Sequence, residues 1–327
     1  MATLLAPAPS TASAPLRNFL TLDALGPDGL RAMLDMTARL KRDPDAFRNR
    51  LAGGRLGMLF DKPSTRTRVS FEAAAWLLGM LPIVLRPEEL QIGRGETVSD
   101  TAKTLSLYLN VLAVRTFSQS SLEELTAASS IPVINALTNE HHPCQAVADV
   151  MTLEESLGTL TGRSVAFIGD GDNVCHSLMQ AAALIGFELR VATPPGYEPS
   201  PEIVAGARQT ALATGGSIVL TNDPFEAVAG ADAVYADVWT SMGQEAERAA
   251  RKAAFAAFTV DSRLMQHAAP TAIFLHCLPA HRGEEVSAEV IDGPASRVWP
   301  QAENRMHTEA ALLYTIVSGD PGGARLP

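Results

Sequence analysis

Short apolar runs alternate with helically spaced ones along almost the whole chain. Residues 56–60, 82–85, 111–115 and 131–136 are compact apolar runs that read as buried strands. Residues 30–40, the stretch that follows Glu72 up to Leu78, and residues 99–109, 122–128 and 142–157 carry apolar positions at helical spacing. The same alternation restarts after Gly158. Strands are expected at 164–169, 188–192, 217–221, 233–238 and 272–278, and helices at 174–185, 201–214, 225–229 and 245–258. Strands separated by helices build parallel sheets covered on both faces. The pattern therefore predicts an α/β protein of two doubly wound domains, each with a mainly parallel sheet flanked by helices. The first should span 17–150 and the second 151–327, joined by the helix at 142–157. A last amphipathic helix over 300–318 is available to pack against either domain, including back on the first.

Length and composition agree with that division. A chain of 327 residues exceeds what one core comfortably serves. Hydrophobic residues make up 46% and charged residues 19%, the balance of a globular protein. The longest apolar stretch, 73–85, is broken by Gly79 and Pro82 and is too short to span a bilayer. A net charge of −10 with no basic run argues against a nucleic-acid partner, so a bound anion must be held by local groups. The three cysteines, Cys144, Cys175 and Cys277, form no C-x-x-C pair, which fits a reducing cytoplasmic setting. Residues 1–16 are rich in Ala, Pro, Ser and Thr, lack the marks of a targeting peptide, and are expected to form a poorly ordered tail.

The candidate chemistry falls at strand ends. After the first strand comes Asp61-Lys62-Pro63-Ser64-Thr65-Arg66-Thr67-Arg68, opening a helix. A helix start offers unpaired N–H groups and the positive end of the dipole; hydroxyls and guanidiniums add donors suited to phosphate or carboxylate. Taken alone, the stretch reads first as a capped helix with solvated arginines, since such caps are common. Arg115 ends another strand. Asn139 to Gln145 opens the bridging helix, where a neutral His142 can donate to a developing oxyanion and Gln145 can read an amide. His141, His142 and Cys144 lack the spacing of a zinc site. Gly169-Asp170-Gly171-Asp172-Asn173 is shaped like a dinucleotide turn, but Val174 replaces the third glycine and no acidic residue ends the next strand, which argues against a nicotinamide cofactor. Asp237, followed by Thr240-Ser241-Met242-Gly243, offers a carboxylate and a glycine-bearing loop that can move. In His276-Cys277-Leu278-Pro279 the two reactive side chains point to opposite faces of a strand, so His276 is a poor general base for Cys277.

Together and in this order, these motifs resemble the transcarbamoylases, and the ornithine carbamoyltransferases most closely, from about Phe19 to Ser318. The resemblance implies a carbamoyl-phosphate site of Ser64, Thr65, Arg66, Thr67, Arg115, His142, Gln145, Cys277, Leu278 and Arg305. Gln91 would reach into a neighbouring subunit's site. It implies an ornithine site of Asn173, Asp237, Ser241 and Met242, with Arg115, His142, Cys277 and Asp237 nearest the chemistry. The His-Pro-x-Gln element is shared with aspartate carbamoyltransferases, whereas Ser241-Met242-Gly243 and His276-Cys277-Leu278-Pro279 speak for ornithine. The implied partners are carbamoyl phosphate and L-ornithine, and the implied assembly is a homotrimer with sites between subunits. No metal or redox cofactor is implied, and the product, citrulline, belongs to arginine biosynthesis and metabolism. One departure is visible: Asp172 stands where the family usually has the first of two asparagines. Rival readings are a transcarbamoylase for putrescine or an N-acylated ornithine, a non-catalytic anion-binding protein, and, furthest off, a nicotinamide oxidoreductase.

Overall fold

The computed structural model describes residues 16–92, 94–241 and 245–320. The first half runs α1 (Gly26–Arg42), β1 (Arg55–Phe60), α2 (Thr65–Leu77), β2 (Leu81–Leu85), α3 (Val98–Tyr108), β3 (Val111–Arg115), α4 (Gln119–Ala128), β4 (Val133–Leu137) and α5 (Pro143–Leu157). The second half runs β5 (Ser164–Ile168), α6 (Asn173–Ile185), β6 (Glu188–Ala192), α7 (Pro201–Thr214), β7 (Ser217–Thr221), α8 (Pro224–Val228), β8 (Ala233–Ala236), α9 (Arg248–Ala254), α10 (Ser262–Met265), β9 (Ile273–His276), α11 (Ala288–Ile291) and α12 (Val298–Ser318).

Both sheets are parallel throughout, in the orders β2-β1-β3-β4 and β7-β6-β5-β8-β9. In the first, the strand order reverses between β1 and β3, where Phe60 pairs with Arg115 at the carboxyl ends. In the second it reverses between β5 and β8, where Ile168 pairs with Ala236. Open α/β sheets bind ligands at such switch points, because the connections diverge there and leave a crevice. The two sheets thus supply one crevice each: residues 61–64 and Arg115 on one side, Gly169 to Asn173 and Asp237 on the other.

The core explains how they are joined. One continuous apolar cluster takes Leu30, Met33, Phe71 and Ala74 from α1 and α2, Val147 and Val150 from α5, Leu178 and Met179 from α6, and Leu312, Leu313 and Ile316 from α12. The C-terminal helix α12 lies against α1, α2 and α5. Burying each of these large aliphatic side chains contributes about 1.5–3 kcal/mol, which makes α12 a principal fastening of the molecule. Separate clusters cover the outer faces of the sheets: Leu59, Leu112, Val114 and Leu122 in the first, and Ile168, Val234, Phe255 and Phe274 in the second.

Two expectations need correction, and two short helices were not expected. Residues 245–258 do not form one helix; α9 is flanked by 3-10 turns at Glu245–Glu247 and Ala256–Phe258. Phe255, at the break, is buried with its ring 4.8 Å from Tyr197 and 6.0 Å from Trp239, and Phe258 follows, buried, at the end of the 3-10 turn. Strands β8 and β9 stop two residues sooner than expected, so that Asp237 and Cys277 leave the ladder and reach the crevice. The four-residue helices α10 and α11, started by the Asp261 and Ser287 side chains, are too short to show a period.

Candidate active site

The anion cradle begins with an uncapped helix. Ser64 is the N-cap of α2 in extended conformation, yet its side chain makes no capping hydrogen bond. Its hydroxyl instead faces Arg115, whose Nη1 donates to Ser64 Oγ at 3.4 Å. The first-turn N–H groups of α2 are therefore left for a ligand, and the helix dipole adds positive potential at that point. Arg305, buried on α12, donates to Gln145 Oε1 (2.7 Å) and Thr67 Oγ1 (3.2 Å) and pairs with Glu309 (2.7 Å). Three guanidiniums, those of Arg66, Arg115 and Arg305, converge on the same space. Burial, with the positive charge of Arg305 and then Arg66, lowers Arg115 to about 10, still charged at neutral pH. Burial likewise lowers Arg66. His142 is buried and pushed well below the usual imidazole value by desolvation and by all three arginines, so its ring is neutral. Among the described residues its Nδ1 has no hydrogen-bond partner.

The facing wall is acidic. Cys277 Sγ donates to Asp237 Oδ1 at 3.0 Å, and that oxygen also accepts from Val238 N at 2.7 Å. Burial and then Asp237 raise the Cys277 thiol well above its ordinary value, so it stays protonated at neutral pH. Burial also raises Asp237, against the opposing influence of His276. Asp172 accepts from Ser241 Oγ at 3.0 Å, and its other carboxylate oxygen is buried without a partner among the described residues. Burial, Asp170 and Asp237 push Asp172 well above the carboxylate range. Asp170 in turn forms a buried pair with Arg251. Asn173 donates to Thr138 O at 2.6 Å, tying the start of α6 to the first domain. The turn holding these groups is tight: a Cβ on Gly171 would strike the backbone of Glu198 and Pro199.

His276 and Cys277 do point to opposite sides. His276 Nδ1 accepts from Leu278 N (2.8 Å), which leaves its proton on Nε2, directed at Glu285 (3.1 Å). That anchor holds Leu278 at φ 59, a left-handed conformation a leucine adopts only under constraint, ahead of a cis bond to Pro279.

Cradle and wall enclose one cavity of about 670 Å³. Ser64, Thr65, Arg66, Thr67, Arg115, His142, Gln145, Asn173, Asp237, Ser241, Cys277, Leu278 and Arg305 all line it. Gln91 does not; it is exposed on the segment before α3. Met242 and Gly243 lie outside the described residues. Lys62, Phe117, Asn139 and Glu284 also line the cavity, outside the set of site residues expected from sequence. Lys62 is buried, donates to Asn139 Oδ1 (2.6 Å) and sits 4.1 Å over the Phe117 ring. Its place in the same strand-to-helix turn as Ser64 was the available signal. A Asp237–His276–Cys277 grouping brings three possible ligand atoms together, but His276 is already engaged on both nitrogens.

Two parallel sheets presenting an anion cradle and an acidic wall across a shared crevice define a two-domain α/β enzyme. The comparisons narrow that class. The carbamoyl-P binding domain of aspartate/ornithine carbamoyltransferase matches residues 17–155, and the Asp/Orn binding domain of the same family matches 161–316. The chain is 50% identical to the ornithine carbamoyltransferase of Bacillus subtilis over 301 residues, covering 92% of this chain and 94% of that one. It is 48% identical to the ornithine carbamoyltransferase of Acidothermus cellulolyticus, covering 95% and 100%. Its fold matches the solved ornithine carbamoyltransferase of Pyrococcus furiosus with a TM-score of 0.90 at 45% identity, over 93% of this chain and 98% of that one. The chain belongs to the aspartate/ornithine carbamoyltransferase family.

Proposed function

We propose that this chain transfers the carbamoyl group of carbamoyl phosphate to the side-chain amine of L-ornithine, releasing L-citrulline and phosphate. The observation that carries the reading is a single cavity with three guanidiniums and an uncapped helix start on one side and the Cys277–Asp237 pair on the other. A phosphate fits the first set and a cationic amino acid the second.

The phosphate lies at the start of α2 against Ser64, Thr65, Arg66 and Thr67, with Arg115 and Arg305 beside it. Arg115, Thr67 and neutral His142 donate to the carbamoyl oxygen, and Gln145 holds the carbamoyl nitrogen. Leu278 and Cys277 close the carbamoyl group from the far side. Ornithine binds through Asn173, Asp237, Ser241 and Met242. Its attacking amine must be neutral, and the neighbouring guanidiniums disfavour a further positive charge there. Attack on the carbonyl carbon forms a tetrahedral oxyanion, the bond to the phosphate oxygen breaks with its electron pair, and the nitrogen sheds a proton. Cys277 and Asp237 are the pair nearest that proton.

The reading extends to assembly and setting. Trp76 (69% exposed), Leu81 (59%), Leu107 (77%) and Tyr108 (59%) leave apolar surface uncovered on the first domain, which supports a homotrimer in which Gln91 serves a neighbour's site. Three free cysteines support a cytoplasmic location, and the product, citrulline, supports a place in arginine metabolism. No helix among the described residues is long and apolar enough to cross a membrane.

Citrulline formation from carbamoyl phosphate should be measured against ornithine, putrescine and N-acetylornithine, without added metal or nucleotide. Turnover of ornithine alone is expected. Turnover of another amine with none of ornithine would sink the acceptor assignment.

A further inference from the structure

Beneath the cavity floor runs a buried polar chain that joins the two domains. Asp149, on α5 one turn after Gln145, is fully buried, as are Gln301 on α12 and Tyr235 on β8. Asp149 Oδ1 accepts from Gln145 Nε2 (2.8 Å) and Gln301 Nε2 (2.6 Å), and its Oδ2 accepts from Tyr235 OH (3.2 Å). Gln301 Oε1 in turn accepts from His276 N (2.9 Å), one residue before Cys277.

We propose that Asp149 is a positioning residue that sets which end of the Gln145 amide faces the substrate, so that Gln145 reads the carbamoyl nitrogen and not the carbamoyl oxygen. This role rests on the reading of the cavity as a carbamoyl-phosphate site. An ionised carboxylate only accepts hydrogen bonds, so the Gln145 NH₂ must face Asp149. A guanidinium only donates, so the Gln145 oxygen must face Arg305, at 2.7 Å. The two neighbours fix the same orientation from opposite ends. The amide oxygen is thereby presented on the cavity side with a lone pair left for the NH₂ of a carbamoyl group. The amide nitrogen, which would have bound the carbamoyl oxygen, is turned away into the protein.

The groups facing the Asp149 carboxyl are Gln145 from its own helix, Gln301 and the more distant Arg305 from α12, Tyr235 from β8, and the Cys277 thiol just after β9, which stays protonated. Burial raises Asp149 to about 6 against the lowering influence of the two glutamines, Tyr235 and Arg305. Below that pH the protonated carboxyl can also donate, and the amide orientation is no longer enforced from that end. The KM for carbamoyl phosphate should therefore rise as pH falls through about 6.

The test is steady-state kinetics from pH 5 to 8 on wild type, Asp149→Asn and Tyr235→Phe. In Asp149→Asn, whose amide can donate or accept, the KM for carbamoyl phosphate should rise roughly tenfold at pH 8, and its acid limb should disappear. Tyr235→Phe removes one donor to the carboxylate, so its acid limb should move to higher pH. An active wild type whose Asp149→Asn form keeps both KM and pH profile overturns the inference while leaving the proposed reaction standing. If Asp149→Asn does not fold, an unshifted limb in Tyr235→Phe overturns it. A wild type that forms no citrulline removes the reaction and this inference together.

Discussion

His142 shows how far a single side chain is governed by its surroundings. Burial and three guanidiniums hold it well below the usual imidazole value. Its protonation therefore does not change across the working range, and in the proposed reaction its part is that of a fixed neutral donor. Replacing it by alanine should lower kcat on the order of a hundredfold or more, and asparagine should recover part of the loss. The pH profile should keep its shape in His142→Asn, because the residue replaced does not titrate there; loss of a limb in that variant would show that His142 changes charge after all. Legibility at this scale was uneven. Ser64, Thr65, Arg66 and Thr67 could be found from sequence because they are contiguous and open a helix. Arg305 could not: a lone arginine inside a helix carries no local sign, and only the family resemblance marked it. Asp149 was missed because its partners Tyr235 and Gln301 lie 86 and 152 residues away in the chain.

At the scale of elements, the period of apolar positions located strands and long helices well, since each buries one face or both. It missed the end of α9 at Phe255, because buried Phe255 and Phe258, three residues apart, keep a helical spacing across the break. It also overran β8 and β9, because Val238 after the first and Cys277 and Leu278 after the second continue the apolar run into the crevice. The turn between β5 and α6 is the most constrained of these elements. Gly171 packs against the Glu198–Pro199 backbone, so Gly171→Ala should cost about 1–3 kcal/mol and raise the KM for ornithine by displacing Asn173. Thermal denaturation and kinetics would check this, and an unchanged melting temperature would mean that the two segments separate easily.

For the whole molecule, the alternation of strands and helices made two parallel α/β domains readable, but their mutual placement was not in the pattern. That placement depends on α5 and α12 and on contacts such as Asn173 with Thr138, between residues 35 apart. Assembly belongs to this scale. Replacing exposed Trp76 and Leu107 by aspartate should convert a trimer of about three times 34.7 kDa into monomers, measured by sedimentation, with citrulline formation falling alongside. A wild type that sediments as a monomer with full activity would count against sites shared between subunits.

The return of α12 to the first half also has a consequence for synthesis. Arg305 reaches the cradle from the last helix, and that same helix covers α1, α2 and α5. A nascent chain halted before α12 has both sheets and most of the crevice, yet lacks one of the three guanidiniums and leaves an apolar face on the first half open to water. Such a fragment should be inactive and prone to aggregate, so turnover is expected only once the chain has been translated through α12.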